Sequence, residues 1–313
     1  MKNFRIKTCL KSIGLACAIG LIISPLLKVK KSYAISGEEK LQSDISQKLN
    51  TLGGDWQVAI KSLEGDKNID LYFTSQANPP SLPAASSIKT FIALATYDRI
   101  ERGLLKDDED IEKDIFSMLK YSNNQAANRL INKIGGFDLV NRTIIDITGK
   151  NLTSLNRYFA QNGPENMANA RDLNLAMERI YKKDYVNIDN SSKIIKPLEE
   201  SYGRYEKLLG GIKGQAWSMN KSGELPDRGV ENDTAIVKVG ERTFVISVLT
   251  KTSNVYNRKA QLDLMKDIGS LVFNYMKEDK VDENTNYDEG GASLANIYYY
   301  KKIDLDKSFI GAK

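Results

Sequence analysis

Two groups of strand-like segments, separated by a long helical region, constrain the fold of this chain most. Alternating apolar and polar residues over 55–75 indicate a β-hairpin, and three further strand-like segments follow one another within 216–250. Helical patterns fill the region between the groups and follow the last strand, over 83–105, 109–120, 123–134, 137–146, 167–181 and 260–276. If the first and last strands share one sheet, the central helices form an inserted all-helical lobe. The sequence therefore predicts an α/β (α+β) fold, with an antiparallel sheet flanked by helices and a cleft between sheet and lobe.

Residues 1–34 have the pattern of a secretory signal peptide or an N-terminal membrane anchor. A basic start precedes an apolar stretch over 13–27, and Ser32-Tyr33-Ala34 is a small-x-small cleavage site. Lysines between the apolar stretch and that site leave an uncleaved anchor open. We expect a secreted or cell-envelope protein that contacts a membrane only through this segment.

The rest of the chain divides into a predicted folded domain over 35–278 and a polar, tyrosine-rich tail over 279–313. Residues 1–34 carry seven basic residues and no acid, so the remainder has 45 − 7 = 38 basic residues against 40 acidic ones. A nearly neutral body gives no basic surface for nucleic acid. We expect a monomer with a small-molecule partner and no nucleic-acid partner.

The chain contains no histidine, and its two cysteines, Cys9 and Cys17, lie inside residues 1–34. This composition excludes Ser-His-Asp triads, Cys-His pairs and histidine-ligated zinc. We predict neither a metal nor a cofactor. Nucleophilic catalysis would need another base, and a lysine with a lowered pKa is the natural candidate.

Ser86 and Lys89 lie three residues apart at the start of the first central helix. This spacing places both side chains on one helix face, where a lysine with a lowered pKa can take the proton of the serine. Unpaired N–H groups at a helix start also favour an oxyanion. The alternative is an N-cap serine beside a solvated lysine, and the same spacing recurs twice elsewhere in the chain.

A second motif is Ser122-Asn123-Asn124. The hydroxyl of Ser122 is suited to relay a proton to a leaving amine, and Asn124 is suited to hold a substrate amide and to position Lys89. The alternative is a helix cap, because Ser and Asn before an apolar helical pattern are good capping residues.

A third motif, Lys221-Ser222-Gly223, lies on a predicted strand and occurs once in the chain. The charge of Lys221 would lower the pKa of Lys89 and attract an anionic substrate. Ser222 is suited to bind a carboxylate, and Gly223 would let a substrate backbone lie along the strand. The alternative is an exposed strand lysine beside a turn glycine.

In the order Ser-x-x-Lys, Ser-x-Asn, Lys-Ser-Gly, the three motifs resemble those of the class A β-lactamases, which are penicillin-recognising serine enzymes. The flanking sequences also resemble this family, in PAASSIKTFIALATYDRIERGLL, YSNNQAANRLINKIGG, SLNR, MANARDL and RGVENDTAIV. The resemblance extends from about residue 45 to about residue 276. It implies a β-lactamase/transpeptidase-like fold, a catalytic domain over 35–278, and a β-lactam or peptidoglycan-derived substrate.

The resemblance implies a catalytic role for four residues. Ser86 would be the acylated nucleophile, and Lys89 would be its base or part of the proton route. Ser122 would pass a proton to the leaving nitrogen, and Lys221 would act beside it.

The resemblance implies substrate binding for four more. Asn124 would bind the side-chain amide of the substrate, and Ser222, with Lys221, would hold its carboxylate. Gly223 would leave room for the substrate backbone, and the N–H groups of Ser86 and Glu224 would form an oxyanion hole.

One departure from the family changes the expected chemistry. Class A enzymes carry, in a Glu-x-x-Leu-Asn stretch, a glutamate that activates the deacylating water. Here the matching stretch over 152–156 reads LTSLN, which puts Leu152 at the glutamate position. We therefore expect slow deacylation, and faster turnover in Leu152→Glu. Glu165 and Glu224 are alternative bases, although neither is in the family's register.

The other departures are smaller. Asn123 stands where the family usually has Asp, and the spacing of 122 − 86 = 36 residues between Ser86 and Ser122 predicts a trimmed helical lobe. Glu224 and Glu231 bring two acids to the site mouth, where we expect them to repel an anionic β-lactam.

Three functions stay open. The chain is an active β-lactamase with a displaced base, a slow acyl-enzyme former of the D-Ala-D-Ala-type peptidase or penicillin-binding kind, or a non-catalytic cell-wall-binding module. The intact Ser86, Lys89, Ser122 and Lys221 argue against the binding module. We favour an exported serine hydrolase of the class A β-lactamase family that is acylated at Ser86 and deacylates slowly.

Overall fold

The structure, a computed structural model, describes residues 36–278; the predicted signal segment over 1–34 and the tail over 279–313 lie outside the described residues. The strands, in chain order, are β1 (Gly54–Glu64), β2 (Asp70–Thr74), β3 (Leu82–Pro83), β4 (Met167–Ala168), β5 (Trp217–Leu225), β6 (Val230–Val239) and β7 (Arg242–Thr252). Five of them form an antiparallel sheet in the order β2-β1-β7-β6-β5, and β3 pairs with β4 separately. Because β1 lies beside β7, the first and last strands share one sheet, as the sequence predicts.

The helices, in chain order, are α1 (Gly37–Asn50), α2 (Lys89–Glu101), α3 (Glu109–Lys120), α4 (Asn124–Ile134), α5 (Phe137–Thr148), α6 (Ala170–Lys182), α7 (Ile188–Glu199) and α8 (Arg258–Lys277). Six of these, α2 to α7, lie in the chain between β2 and β5, which confirms the inserted helical lobe. The α+β fold class is therefore confirmed.

The sheet separates two apolar cores. One core lies on the side of the central helices and includes Phe91, Ile131 and Met219. The other joins the opposite face of the sheet to α1 and α8, through residues such as Ile45 and Val272. Helix α2 is buried without a break from Lys89 to Tyr97, so it is the central helix of the lobe.

Side-chain caps determine where several helices begin. Asp108, Asn123 and Asn169 each accept a hydrogen bond from a backbone N–H in the first turn of α3, α4 and α6. Helix α4 ends at Gly135, whose φ of 110° is a conformation that only glycine adopts without strain. These caps place the second motif, 122–124, at the N-terminus of α4.

Three elements differ from the sequence expectations. The first central helix begins at Lys89 rather than at residue 83, because β3 and a short 3₁₀ helix, Ala85–Ile88, come first. Helices α1 and α7 were not predicted. Helix α7 contains Pro197 in its interior, which is a residue that ordinarily argues against a helix.

Within residues 36–278, no helix combines the length and the apolar character that a membrane span needs. The same residues contain no cluster of three or more Asp, Glu, Cys or His side chains placed to hold a metal ion.

Candidate active site

Ser86 lies on the 3₁₀ helix that precedes α2, at the edge of a cavity of about 390 Å³. The residue before it, Ala85, has a φ of 48°, and Ser122, the first residue of the second motif, has a φ of 56°. Such conformations cost non-glycine residues about 1–3 kcal/mol each, and proteins keep them mostly at functional sites. The backbone strain therefore lies at one predicted site residue, Ser122, and immediately before another, Ser86.

The amine of Lys89 joins the first two motifs. Its Nζ lies 2.9 Å from Ser86 Oγ, 2.7 Å from the carbonyl oxygen of Ser122, and 2.7 Å from Asn124 Oδ1. It also lies 3.3 Å from Ser122 Oγ. Lys89 is fully buried. The predicted nucleophile, base, relay hydroxyl and amide are therefore in one cluster.

The hydrogen-bond partners of Lys89 determine what its amine can do for Ser86. The carbonyl oxygen of Ser122 and Oδ1 of Asn124 can only accept, so each takes one N–H from Lys89. A neutral amine has two N–H groups and one lone pair. The lone pair is then left for the O–H of Ser86, so a neutral Lys89 is oriented to accept the proton of the nucleophile.

The surroundings of Lys89 favour the neutral amine. Burial, and then the positive charge of Lys221, lower the pKa of Lys89 to about 6. The face of the Phe159 ring, whose centroid lies 4.5 Å from Nζ, favours the charged amine, but burial and Lys221 outweigh it. Lys89 is therefore mostly a free base at neutral pH.

Lys221 approaches the same cluster from β5. Its Nζ donates to Ser122 Oγ at 3.2 Å and to its neighbouring carbonyl, that of Ser222, at 2.9 Å. Burial and the charge of Lys207 lower the pKa of Lys221 to about 8, so it is largely protonated at pH 7. The hydroxyl of Ser122 thus lies between a neutral and a charged lysine, which suits it to relay a proton.

Gly223 lets β5 pass close to the nucleophile. A Cβ at this position would lie 2.8 Å from the backbone nitrogen of Ser86 and 2.7 Å from that of Ser87. Any side chain would therefore displace the strand. The next residue, Glu224, lines the same cavity as Ser86.

The middle residue of the second motif has a structural task. The Oδ1 atom of Asn123 accepts from the backbone nitrogens of Gln125 and Ala126, at 2.9 and 3.0 Å, and so caps α4. Asp and Asn both serve as helix N-caps. The Asn in place of the family's usual Asp therefore leaves this role intact.

The structure contradicts the expected position of Leu152. This residue lines a separate cavity, with Tyr72 and Pro80 among its neighbours, and Ser86 is not part of that lining. The next residue, Thr153, is bound to Asp172. Alignment by the Leu-Asn pair alone therefore assigned the wrong residue to the position beside the nucleophile.

Phe159, and not Leu152, is the residue of this loop that lies beside Lys89. It lines the Ser86 cavity, and its ring lies over the amine of Lys89. The side chain of Asn128 on α4 binds both backbone polar groups of Phe159. It accepts from the N–H at 2.9 Å and donates to the carbonyl oxygen at 3.1 Å. Phenylalanine cannot activate water, so this residue supplies no general base to the cavity of Ser86.

Glu165, one alternative base, lines the Ser86 cavity but is held by two arginines. Arg157 contacts its Oε1 at 2.7 Å, and Arg228 binds its Oε2. With both oxygens engaged by cations, this carboxylate is not free to take a proton from water.

Glu224 and Glu231 belong to a network of four charges. Arg258 contacts Glu224 at 2.5 Å and Glu231 at 2.6 Å, and Lys207 contacts Glu231 at 2.7 Å. Lys207 and Glu231 are buried. Both acids are thus paired with cations, which the sequence did not indicate, and of the two only Glu224, about half exposed, lines the Ser86 cavity.

Sequence reasoning missed Phe159, Asn128, Lys207 and Arg258. Asn128 follows Asn124 by one helical turn on α4, and this spacing was a usable signal. Lys207 and Arg258 carry no local pattern that links them to the site, because their partners lie 17 or more residues away in the chain.

Residues 113–276, just over half of the chain, match a family described as the beta-lactamase enzyme family. The comparison with curated proteins gives no match.

The fold is similar to several solved structures. PBP-A has 19% identity and a TM-score of 0.65, over 75% of this chain and 95% of that one. A leucine-to-glutamate mutant of PBP-A, an acyl-enzyme complex with penicillin G, has 19% identity and a TM-score of 0.66 over the same shares. A class A beta-lactamase from Mycobacterium abscessus has 18% identity and a TM-score of 0.64, over 75% of this chain and 98% of that one. These likenesses confirm the predicted β-lactamase/transpeptidase fold.

Proposed function

The chain belongs to the beta-lactamase enzyme family, and from this premise we propose that it is a serine hydrolase whose Ser86 is acylated by β-lactams or related cell-wall amides. The observation that carries the proposal is the connected series Ser86 Oγ, Lys89 Nζ, Ser122 Oγ and Lys221 Nζ, with separations of 2.9, 3.3 and 3.2 Å. Burying two lysines close together costs stability, so a series of this kind has no evident structural purpose.

In the proposed acylation, the neutral amine of Lys89 takes the proton of Ser86, and Oγ bonds to the substrate carbonyl carbon. The N–H groups of Ser86 and Glu224 stabilise the oxyanion beside the closely packed Gly223. The C–N bond then breaks, the leaving nitrogen takes the proton of Ser122, and Lys89 returns its extra proton to Ser122. The charge of Lys221 stabilises the Ser122 oxygen during this relay.

We propose that deacylation is the slow step. Hydrolysis of the acyl-enzyme needs a base that takes a proton from water, and Phe159 lies where such a base would reach both Ser86 and Lys89. Of the acids that line the cavity, Glu165 and Glu224 are paired with arginines, and Asp227 is exposed to solvent. The acyl-enzyme should therefore persist.

A penicillin-binding protein or D-Ala-D-Ala-type peptidase is the second candidate function. The apolar surface of Phe159 beside Lys89 favours it, because an enzyme of this type does not depend on fast β-lactam hydrolysis. A cell-wall-binding module without catalysis is the least supported candidate, since binding alone gives no reason to bury Lys89 next to Ser86.

We also propose that the protein acts outside the cytoplasm as a monomer. The support for export is the signal-like pattern of residues 1–34, together with a substrate class that belongs to the cell wall. N-terminal sequencing of the exported protein distinguishes a cleaved signal peptide from a retained membrane anchor.

Intact-mass spectrometry of the protein incubated with benzylpenicillin tests the proposed function. We expect a long-lived adduct of one penicillin on the wild type and none on Ser86→Ala. Penicillin depletion without an adduct would instead mean fast hydrolysis and would overturn slow deacylation. Neither adduct nor depletion would overturn acylation by β-lactams.

The acylation rate should depend on pH as a bell with limbs at about 6 and about 8. Acylation needs Lys89 neutral, so the rate rises with pH through the lowered pKa of this lysine, about 6. It also needs Lys221 charged, so the rate falls above the pKa of Lys221, about 8. Rates of adduct formation between pH 5 and pH 9.5 measure this profile. A rate that still rises tenfold per pH unit above pH 8 would contradict a neutral Lys89.

A further inference from the structure

Glu224 places a carboxylate in the cavity of the nucleophile, immediately after the Lys-Ser-Gly motif. Its side chain lines that cavity together with Ser86 and is about half exposed. One of its oxygens contacts Arg258 at 2.5 Å and lies 3.9 Å from the amine of Lys207.

Two cations near Glu224, Arg258 and Lys207, are already matched by acids of this chain, and a third, Lys221, is buried and donates to Ser122 and Ser222. Arg258 contacts both Glu224 and Glu231, and Lys207 contacts Glu231 at 2.7 Å. Lys207 also donates to the carbonyl oxygens of Gly223 and Asn232, at 3.1 and 3.2 Å. A substrate carboxylate that drew either cation away would leave an acid of the protein unpaired, and a buried unpaired carboxylate is costly.

The register of β5 places Glu224 beside the predicted carboxylate-binding serine. Side chains alternate along a strand, so Ser222 and Glu224 lie on one side, about 7 Å apart, while Lys221 and Gly223 lie on the other. The burial pattern agrees, because Lys221 and Gly223 are buried and the other two are more exposed. A carboxylate at Ser222 would therefore face the carboxylate of Glu224.

From these contacts we infer that Glu224 is a specificity-determining residue. It makes the site prefer acyl donors whose carboxyl group at the end lying along β5 is capped as an ester or an amide. Donors with a free carboxylate at that end react more slowly. This inference rests on the proposed acylation of Ser86. It concerns which substrates react fast, whereas benzylpenicillin, an anion, still acylates slowly.

A matched pair of probes tests this inference: benzylpenicillin, which is an anion, and its uncharged methyl ester. Second-order rate constants for adduct formation are measured by intact mass for the wild type, Glu224→Gln and Asp227→Asn. The ratio of the ester rate to the acid rate is then compared between proteins, so the different intrinsic reactivity of the two probes cancels. Asp227 is a suitable control because it is an exposed acid that lines the same cavity.

We expect Glu224→Gln to lower the ester-to-acid ratio about tenfold, mainly through faster reaction with the acid, because the substitution removes a like charge and leaves Arg258 with Glu231 as its remaining carboxylate partner. Asp227→Asn should leave the ratio within about twofold of the wild type, because its charge is screened by water. A ratio that Glu224→Gln does not change overturns the specificity role alone. The absence of a Ser86-dependent adduct with both probes overturns the proposed function, and this inference with it.

Discussion

Replacing Lys89 by methionine should slow the acylation of Ser86 by roughly 10²–10⁴-fold, the usual contribution of a general base. Methionine fills similar space but cannot accept the proton of Ser86. In the wild type the amine of Lys89 is hydrogen-bonded to Ser86 Oγ at 2.9 Å. Lys89→Arg should lose a similar factor, because a guanidinium stays protonated and cannot act as a base. The measurement is the rate of adduct formation with benzylpenicillin at pH 7. Retained acylation in Lys89→Arg would mean that this residue acts through its charge alone.

Stability measurements test the lowered pKa on which this role depends. In the folded state burial lowers the pKa of Lys89 to about 6, from 10.5 in the unfolded chain. Between these values the unfolded chain holds a proton that the folded protein lacks, so the wild type gains stability as pH rises. The methionine variant lacks this gain. Urea denaturation at pH 7 and pH 9 should therefore show the stability difference moving by about 3 kcal/mol in favour of the wild type. No change with pH would contradict the lowered pKa.

The sequence was sufficient to predict the contacts that depend on short motifs and the topology that depends on the order of secondary-structure elements. Ser86 and Lys89 are separated by one helical turn, so their contact follows from local geometry. The sharing of one sheet by β1 and β7 followed from two strand groups around a helical block. The meeting of Lys89 with Lys221 followed only from the resemblance to the family, because no local rule connects α2 with β5.

The sequence failed where irregular backbone decides which residue reaches the site. The loop over 152–166 has no periodicity, so its register rested on a Leu-Asn pair, and that pair selected Leu152. In the structure the loop is fixed instead by Asn128, which binds both peptide atoms of Phe159. The sequence did not predict the charge network of Glu224, Arg258 and Lys207 for a related reason. Counting charges cannot show that two acids are balanced by cations distant in the chain.

Replacing Phe159 by glutamate should speed hydrolysis of the acyl-enzyme by roughly 10²–10⁴-fold, the range that general-base assistance to water provides. A glutamate here would carry its carboxylate into the cavity of Ser86, at the place where the Phe159 ring now covers Lys89. The measurement is the decay of the penicillin adduct by intact mass after removal of free penicillin. The acylation rate is followed separately, because a carboxylate next to Lys89 would raise the pKa of this lysine and slow acylation below neutral pH.

Two variants make the test of Phe159 specific. Phe159→Gln has nearly the size of glutamate and the same opening of the cavity to water but no basic carboxylate, so its adduct should decay close to the wild-type rate. Leu152→Glu places the acid where the sequence alone located the base, yet Leu152 lines a cavity shared with Tyr72 and Pro80. Its adduct should therefore decay no faster than that of the wild type. Fast decay in Leu152→Glu with none in Phe159→Glu would reverse the assignment, and would mean that the loop over 152–166 approaches the acyl-enzyme through its first residues.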